Sequence, residues 1–256
     1  MNHNNFNDKS QVLNNENENH SHFHYNNIIE KKSINFVDVT FSINRNVRNK
    51  TPKDNNFENL TTNWQQISGI EVLANEIKQG FATMAGLLPN VNTRRLKANV
   101  NGSYAVFLDI DDGLTINEAL ANPFIQKYCS LLYTSASHQK EKNGIICDRF
   151  RLVFQLPELI TDIELYEQLI KLLIATFPNS DKACKDASRI FYGNTETQIL
   201  LLNSQAFLPY EWIDKAKQEL QEEKDKQEQL KLEKERQKLE RQNRKLTNNY
   251  DGEFSS

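Results

Sequence analysis

No run of apolar residues in this chain approaches membrane-spanning length, and the N-terminus has no apolar signal segment. Both absences point to a soluble cytoplasmic protein with no membrane association. Cysteine is scarce: Cys129, Cys147 and Cys184 are scattered, odd in number and without Cys-x-x-Cys spacing. That excludes a disulfide framework and suits reduced thiols, with zinc ligation by Cys147, Cys184 and His138 left as the alternative. No excess of basic charge exists either. A net charge of −3 over 256 residues argues against broad, non-specific nucleic-acid binding, although net charge hides local clusters. Histidine is nearly confined to one end: of 5, only His138 lies outside the Asn-rich N-terminal leader that holds His3, His20, His22 and His24.

What is present is concentrated in four short segments. The first is an apolar strand, Tyr104 to Leu108, running into Asp109-Ile110-Asp111-Asp112-Gly113. Alternate side chains of a strand share a face, so Asp109 and Asp111 project together. Two unpaired carboxylates at a buried strand end repel each other and are costly to desolvate. A magnesium or manganese ion relieves both problems, and oxygen-only ligands suit those ions. A solvated Asp-Gly turn is the competing reading.

In the second segment another apolar strand, Leu131 to Thr134, gives way to Ser135-Ala136-Ser137-His138. Small residues admit a ligand close to the backbone, and hydroxyls with an imidazole suit phosphate oxygens. The third, Asp148 to Leu156, alternates Phe150, Leu152, Phe154 and Leu156 on one face with Arg149, Arg151, Val153 and Gln155 on the other. Two arginines on one face can hold a phosphate bidentately, or the strand can simply be amphipathic and solvent-facing. The fourth, Asp181 to Gly193, offers Asp186 ahead of a short aromatic strand carrying Arg189.

The order of these elements resembles the archaeo-eukaryotic primase superfamily, most closely the primase-polymerase domains of plasmid and phage replication proteins, including the cyanobacterial type. That family runs a strand ending in Asp-x-Asp, a small-x-His after a strand, and an Asp before a strand. Asp109 with Asp111, Ala136-Ser137-His138, and Asp186 match these in turn, over roughly residues 65 to 215. The resemblance implies an α+β catalytic core with an RNA-recognition-motif-like, mixed and largely antiparallel sheet, a small N-terminal αβ unit and a long C-terminal helix. The implied function is DNA-dependent primer synthesis or extension in plasmid or phage DNA replication. Asp109, Asp111 and Asp186 would hold two Mg2+ or Mn2+ ions for nucleotidyl transfer. Ser137, His138, Arg149, Arg151 and Arg189 would bind the nucleoside triphosphate. A basic cluster, Arg94, Arg95 and Lys97, would track a single-stranded DNA template. An earlier cluster, Arg45, Arg48, Lys50 and Lys53, is equally readable as solubilising loop charge. Two rivals stay open: a metal-dependent nuclease on the same carboxylates, and a non-catalytic replication initiator that binds origin DNA.

The organisation follows from composition and periodicity. Residues 1–30 are Asn-, His- and Glu-rich and cannot bury a core. Residues 31–215 form the catalytic domain, and 216–256 a charged helical extension. Within the domain the pattern predicts a strand over 34–43, a loop over 44–59, and a helix capped by Ser68 with Glu71 and stopped at Gly80. It further predicts a strand over 81–88, a short helix over 117–128, a longer helix capped by Thr161-Asp162-Ile163-Glu164 with Tyr166, Leu169, Ile170, Leu173 and Phe177 inward, and a last strand over 198–202. Leu232, Leu239 and Leu246 make a heptad row without an apolar partner row, so a solvated single helix is expected. No Gly-x-x-x-x-Gly-Lys loop occurs. A replicative helicase would therefore be a separate partner, docked on this extension, or the chain is a fragment.

Overall fold

A computed structural model describes residues 39–50, 58–142 and 144–250, with side chains to residue 242. The leader over 1–30, the first part of the strand expected over 34–43, Lys53 and the Leu246 side chain lie outside the described residues. The class is α+β, with antiparallel sheets and a long C-terminal helix. A three-stranded sheet has the order β2 (Gln65–Ser68), β1 (Thr40–Arg48), β3 (Phe81–Met84). Helix α1 (Ile70–Lys78) packs beside it and completes a small αβ unit. A five-stranded sheet follows the order β4 (Gly86–Leu87), β5 (Gly102–Ile110), β7 (Phe150–Ile160), β6 (Leu131–Thr134), β8 (Ile199–Leu202).

The two faces of the larger sheet have different cover, and this fixes where the site can be. Phe154 faces an aromatic cluster of Phe124, Phe177 and Trp212, contributed by α3 (Pro123–Tyr128), the end of α4 (Ile163–Thr176) and the start of α5 (Tyr210–Tyr250). Phe107, on the opposite face, meets Phe41 of β1 and Phe191. Helices therefore seal one face, while the small sheet and the 186–193 segment cover part of the other. Asp109 and Arg151 belong to this second face.

Local physics explains where periodicity misled. Asn44 to Arg48, expected as loop, extends β1, and Asn44 is buried with its side-chain amide bonded to the Asn59 and Thr62 carbonyls. Ser68 does not cap α1. It pairs with Thr40 as the last residue of β2, and Gly69 takes the cap position at φ 94°, without a side-chain cap. The strand expected over 81–88 breaks after Met84, so β3 joins one sheet and β4 the other. The helix expected over 117–128 is two: α2 (Ile116–Ala121), with a Thr115–Glu118 capping box, and α3, capped by Asn122 with Pro123 in its first turn. The aromatic strand expected after Asp186 is a single bridge, Phe191 to Thr83. Gly193 lets that segment lie flat: a Cβ there would overlap the carbonyl oxygen of Phe81.

Helix α5 is part of the body for longer than its composition suggests. Ile213 and Ala216 are fully buried, and Leu220 packs against the core. Glu219 accepts from Gln168 Nε2 at 2.9 Å, Glu223 pairs with Lys171 at 3.4 Å, and Lys224 with Glu164 at 2.7 Å. Further out, side-chain bonds among the described residues stay within the helix, and Leu232 and Leu239 are exposed. A chain ended after residue 215 loses the Ala216 and Leu220 contacts. It should melt roughly 5 °C below the full protein, given about 2 kcal/mol for that burial and about 2–4 °C per kcal/mol. A chain ended after residue 226 should keep the full midpoint in a thermal scan.

Candidate active site

The sheet register builds the centre of the site. Asp109 on β5 lies opposite Arg151 on β7, which lies opposite Tyr133 on β6. Directly opposed residues share a face, so one row crosses three strands. Arg151 is 6% exposed; its Nε donates to Asp109 Oδ1 at 3.0 Å and one Nη to the Tyr192 carbonyl at 2.7 Å. The guanidinium also sits 5.3 Å from the Phe191 ring centroid and 5.7 Å from that of Tyr133. Burial alone would lower its pKa, but the Asp109 carboxylate and the Tyr133 hydroxyl together more than reverse this and raise it. The Tyr133 hydroxyl is pushed up by burial, partly offset by the Arg151 charge.

Asp109 and Asp111 open into one cleft of about 590 Å³, lined also by Lys50, Ser135, Ala136, Ser137, Lys142, Arg151, Asp181, Arg189, Ile190 and Tyr192. Asp109 is 8% exposed and has a second partner, Arg189 Nη2, at 3.5 Å. Asp111 is more open and pairs with Lys142 Nζ at 2.9 Å. Four cationic and three acidic side chains thus share the cleft. A surplus of positive charge in a partly enclosed space suits a polyanionic ligand. Arg189 adds an unused donor, since its buried Nε has no hydrogen-bond partner among the described residues.

The third carboxylate lining this cleft is Asp181, and Asp186 lies outside it. Asp186 turns back on its own chain, its Oδ1 accepting from the Ser188 amide at 2.9 Å and hydroxyl at 2.8 Å. It lines a separate pocket of about 310 Å³ with Arg94, Arg95 and Lys97. Asp181 takes the place beside Asp109: its amide donates to the Asp109 carbonyl at 2.9 Å, and its Oδ2 accepts from Arg189 at 2.5 Å. Both aspartates flank the same 3-10 turn, Lys182–Lys185, so spacing alone could not separate them. The cap role could have pointed to Asp181, whose Oδ1 accepts from the Ala183 amide.

Arg149 is likewise not a cleft residue. It is 3% exposed, and its guanidinium donates to four carbonyls, those of Asp111, Ser137, Lys140 and Ile145. It clamps the loop after His138 to the end of β5. His138 stands beside it, its Nδ1 accepting from the Arg149 amide at 3.2 Å. That bond places the ring proton on Nε2, and the 3.9 Å approach to Asp148 is too long to compete. His138 does not line the cleft, although its neighbour Ser137 does.

Of the expected template residues, Arg95 is half-buried and bonded to the Leu60 and Ser188 carbonyls, and Lys97 pairs with Glu167 at 2.5 Å. Arg94 is exposed. Of the earlier basic cluster, Arg45 is taken up by Glu76 and Gln65, and Arg48 by the Gln79 carbonyl. Among the described residues of that cluster Lys50 alone lines the cleft, brought there by a turn at Asn49 that bonds to Gly80 and Thr195. Burial and the neighbouring Arg151 and Lys142 charges lower the Lys50 pKa, against a smaller opposing pull from Asp109 and Asp111. An anionic ligand would therefore relieve it.

Among the described residues no three His, Cys, Asp or Glu side chains converge to hold a metal ion, neither the zinc set of Cys147, Cys184 and His138 nor Asp109 and Asp111 with a third carboxylate. Cys184 is buried behind β5, its sulfur accepting from the Asp109 amide, and burial pushes its thiol up to about 12. Cys147 lies against the Asp111 carbonyl.

Among the described residues no helix is long and apolar enough to cross a membrane. No protein-family model and no curated protein matches the chain. A solved structure similar to it is the AEP domain of the primase-polymerase of cyanophage S-2L, at 12% identity over 69% of this chain and 88% of that domain, with a TM-score of 0.41.

Proposed function

We propose that this chain is a DNA-dependent primase-polymerase of plasmid or phage replication, joining nucleotides from nucleoside triphosphates on a single-stranded DNA template. One observation carries the reading: Asp109 and Asp111 open into the same cleft as Lys50, Lys142, Arg151 and Arg189. Carboxylates for a divalent cation and cations for a triphosphate are what this transfer needs, because it is catalysed mainly by positioning and charge.

The residues present fit Mg2+ or Mn2+. Magnesium is commonly held by one or two carboxylates completed by water and substrate phosphates, not by an all-protein cage. Asp109 and Asp111 would supply those oxygens, with Asp181 the third carboxylate lining the cleft. When bound, the ion neutralises phosphoryl oxygens and favours ionisation of the attacking 3′-hydroxyl. Arg189, with its unused Nε, and Lys50 bind the triphosphate and offset charge as pyrophosphate leaves. Ser137 lines the same cleft, its Oγ accepting from Lys50 Nζ at 3.5 Å, and its hydroxyl would serve a phosphate oxygen. Arg151 is a positioning residue that fixes the Asp109 carboxylate. Arg149 and His138 hold the Ser137 backbone in place. Arg94, beside the neighbouring pocket, is the exposed cation best placed for a template phosphate.

The test is a primer-synthesis and extension assay on single-stranded DNA with labelled ribo- and deoxynucleotides and either metal. Labelled products longer than the input are expected. Shortened template with no incorporation would instead support the nuclease reading, and template binding with neither product the initiator reading. A helicase docked on the outer part of α5 belongs to the same proposal, checked by pull-down with the full chain against one ended after residue 226.

A further inference from the structure

We propose that Lys142 is an exchangeable counterion: it neutralises Asp111 until a divalent cation arrives, and then carries its charge to the triphosphate. This rests on the nucleotidyl-transfer reading above, and it follows from an asymmetry between the two carboxylates. Asp109 is 8% exposed and held on both oxygens by arginines, through Arg151 at 3.0 Å and Arg189 at 3.5 Å. Arg151 cannot leave without also abandoning the Tyr192 carbonyl. Asp111 has a single ionic partner among the described residues, and that partner is weakly held. The Lys142 and Asp111 side chains are 49% and 34% exposed, the regime in which ion pairs contribute little. An incoming dication therefore meets one carboxylate locked by buried arginines and one covered by a cation that can swing away.

The loop is built for the side chain to move while the backbone stays. Arg149 bonds the carbonyls of Ser137, Lys140 and Ile145 on the loop and that of Asp111 on the strand end. The same clamp sets the spacing between Lys142 and Asp111. Lys142 and Ile145 also exchange backbone bonds at 3.0 and 3.1 Å, closing the turn. The freely rotating part is the lysine stem, whose ammonium is a compact charge with rotatable donors. Displaced from Asp111, it remains on the wall of the same cleft, where the remaining cations already outnumber the free carboxylates. The only species that neutralises that surplus is an anion in the cleft. Cation uptake at Asp111 therefore favours triphosphate binding, and by reciprocity triphosphate favours the cation.

Mn2+ binding followed by electron paramagnetic resonance on the full chain without nucleotide is the test, with triphosphate affinity measured separately by calorimetry using a non-hydrolysable analogue. In Lys142→Gln, Mn2+ should bind about two- to fivefold more tightly, because the competing ion pair is gone. Triphosphate should bind about three- to tenfold more weakly once Mn2+ is present. A lysine with only a structural role would weaken both. Lys142→Arg, which keeps the charge, should return both values toward wild type, and Asp111→Asn should lose Mn2+ uptake. Uptake that is lost in Asp111→Asn but unchanged or weaker in Lys142→Gln overturns the exchange and leaves the transferase reading intact. A wild-type protein that takes up no Mn2+ with or without triphosphate overturns both.

Discussion

Asp109→Asn and Asp111→Asn should each lower nucleotide incorporation on the order of a hundredfold or more, yet differ in stability. From sequence alone, like-charge crowding at the end of β5 predicts that removing either charge leaves the fold intact or slightly steadier. The structure reverses this for Asp109. Its neighbours are not carboxylates left bare but Arg151 at 3.0 Å and Arg189 at 3.5 Å, so neutralising it removes a buried anion from between two cations. An asparagine keeps an acceptor for Arg151 but not the charge, and about 2 kcal/mol of stability should go with it. Asp111 is 34% exposed against a half-exposed lysine, so its loss should stay within about 1 kcal/mol. Incorporation assays paired with thermal scans on purified variants check both halves. Full activity in Asp111→Asn with either metal supplied would remove that carboxylate from the mechanism. A midpoint for Asp109→Asn equal to or above wild type would show that the arginines do not depend on it.

What the sequence made legible was local. The strand ending in Asp109 and Asp111, the strand running into Ser135 and Ser137, and the alternation through Arg151 are each set by a period of two within a few residues. A cap within Thr161-Asp162-Ile163-Glu164 and the inward row of α4, including Tyr166, Leu169 and Leu173, followed in the same way from one helix, and the structure places the cap at Asp162. What stayed hidden was anything delivered from a distance. Lys50 reaches the cleft from the end of β1 because Asn49 takes φ 65° and bonds to Gly80 and Thr195, contacts far apart in sequence. Arg149 and Arg151 share a face by periodicity, but only the third dimension shows one clamping a loop and the other a carboxylate. A single 3-10 turn separates Asp186 from Asp181, and the side chain that folds back onto Ser188, away from the cleft, is the one the motif order favours. Ser68 failed as a cap because strand pairing with Thr40 outweighed a local signal worth about 1 kcal/mol.

Arg151→Ala should be the most damaging single change in the cleft, and its cost should depend on Asp109. The guanidinium satisfies the Asp109 carboxylate and the Tyr192 carbonyl while lying against two aromatic rings, all at 6% exposure. Truncation leaves a buried carboxylate with only the more distant Arg189, an unpaired carbonyl and a void between rings. Breaking a buried pair from one side costs about 3–5 kcal/mol, or roughly 10 °C in midpoint for a protein of this size. Arg151→Lys should recover part of this, since one ammonium cannot serve the carboxylate and the carbonyl in the same fork geometry. The decisive comparison is Arg151→Met alone against Arg151→Met with Asp109→Asn. If the damage is mostly a stranded charge, the double variant should be more stable than the single, with a coupling of about 1–3 kcal/mol. Both proteins should nevertheless be inactive, because the carboxylate oriented by Arg151 is one of the two that would hold the cation. A double variant that melts below Arg151→Met would mean the arginine acts through packing against Tyr133 and Phe191. The Asp109 pair would then be incidental to the fold.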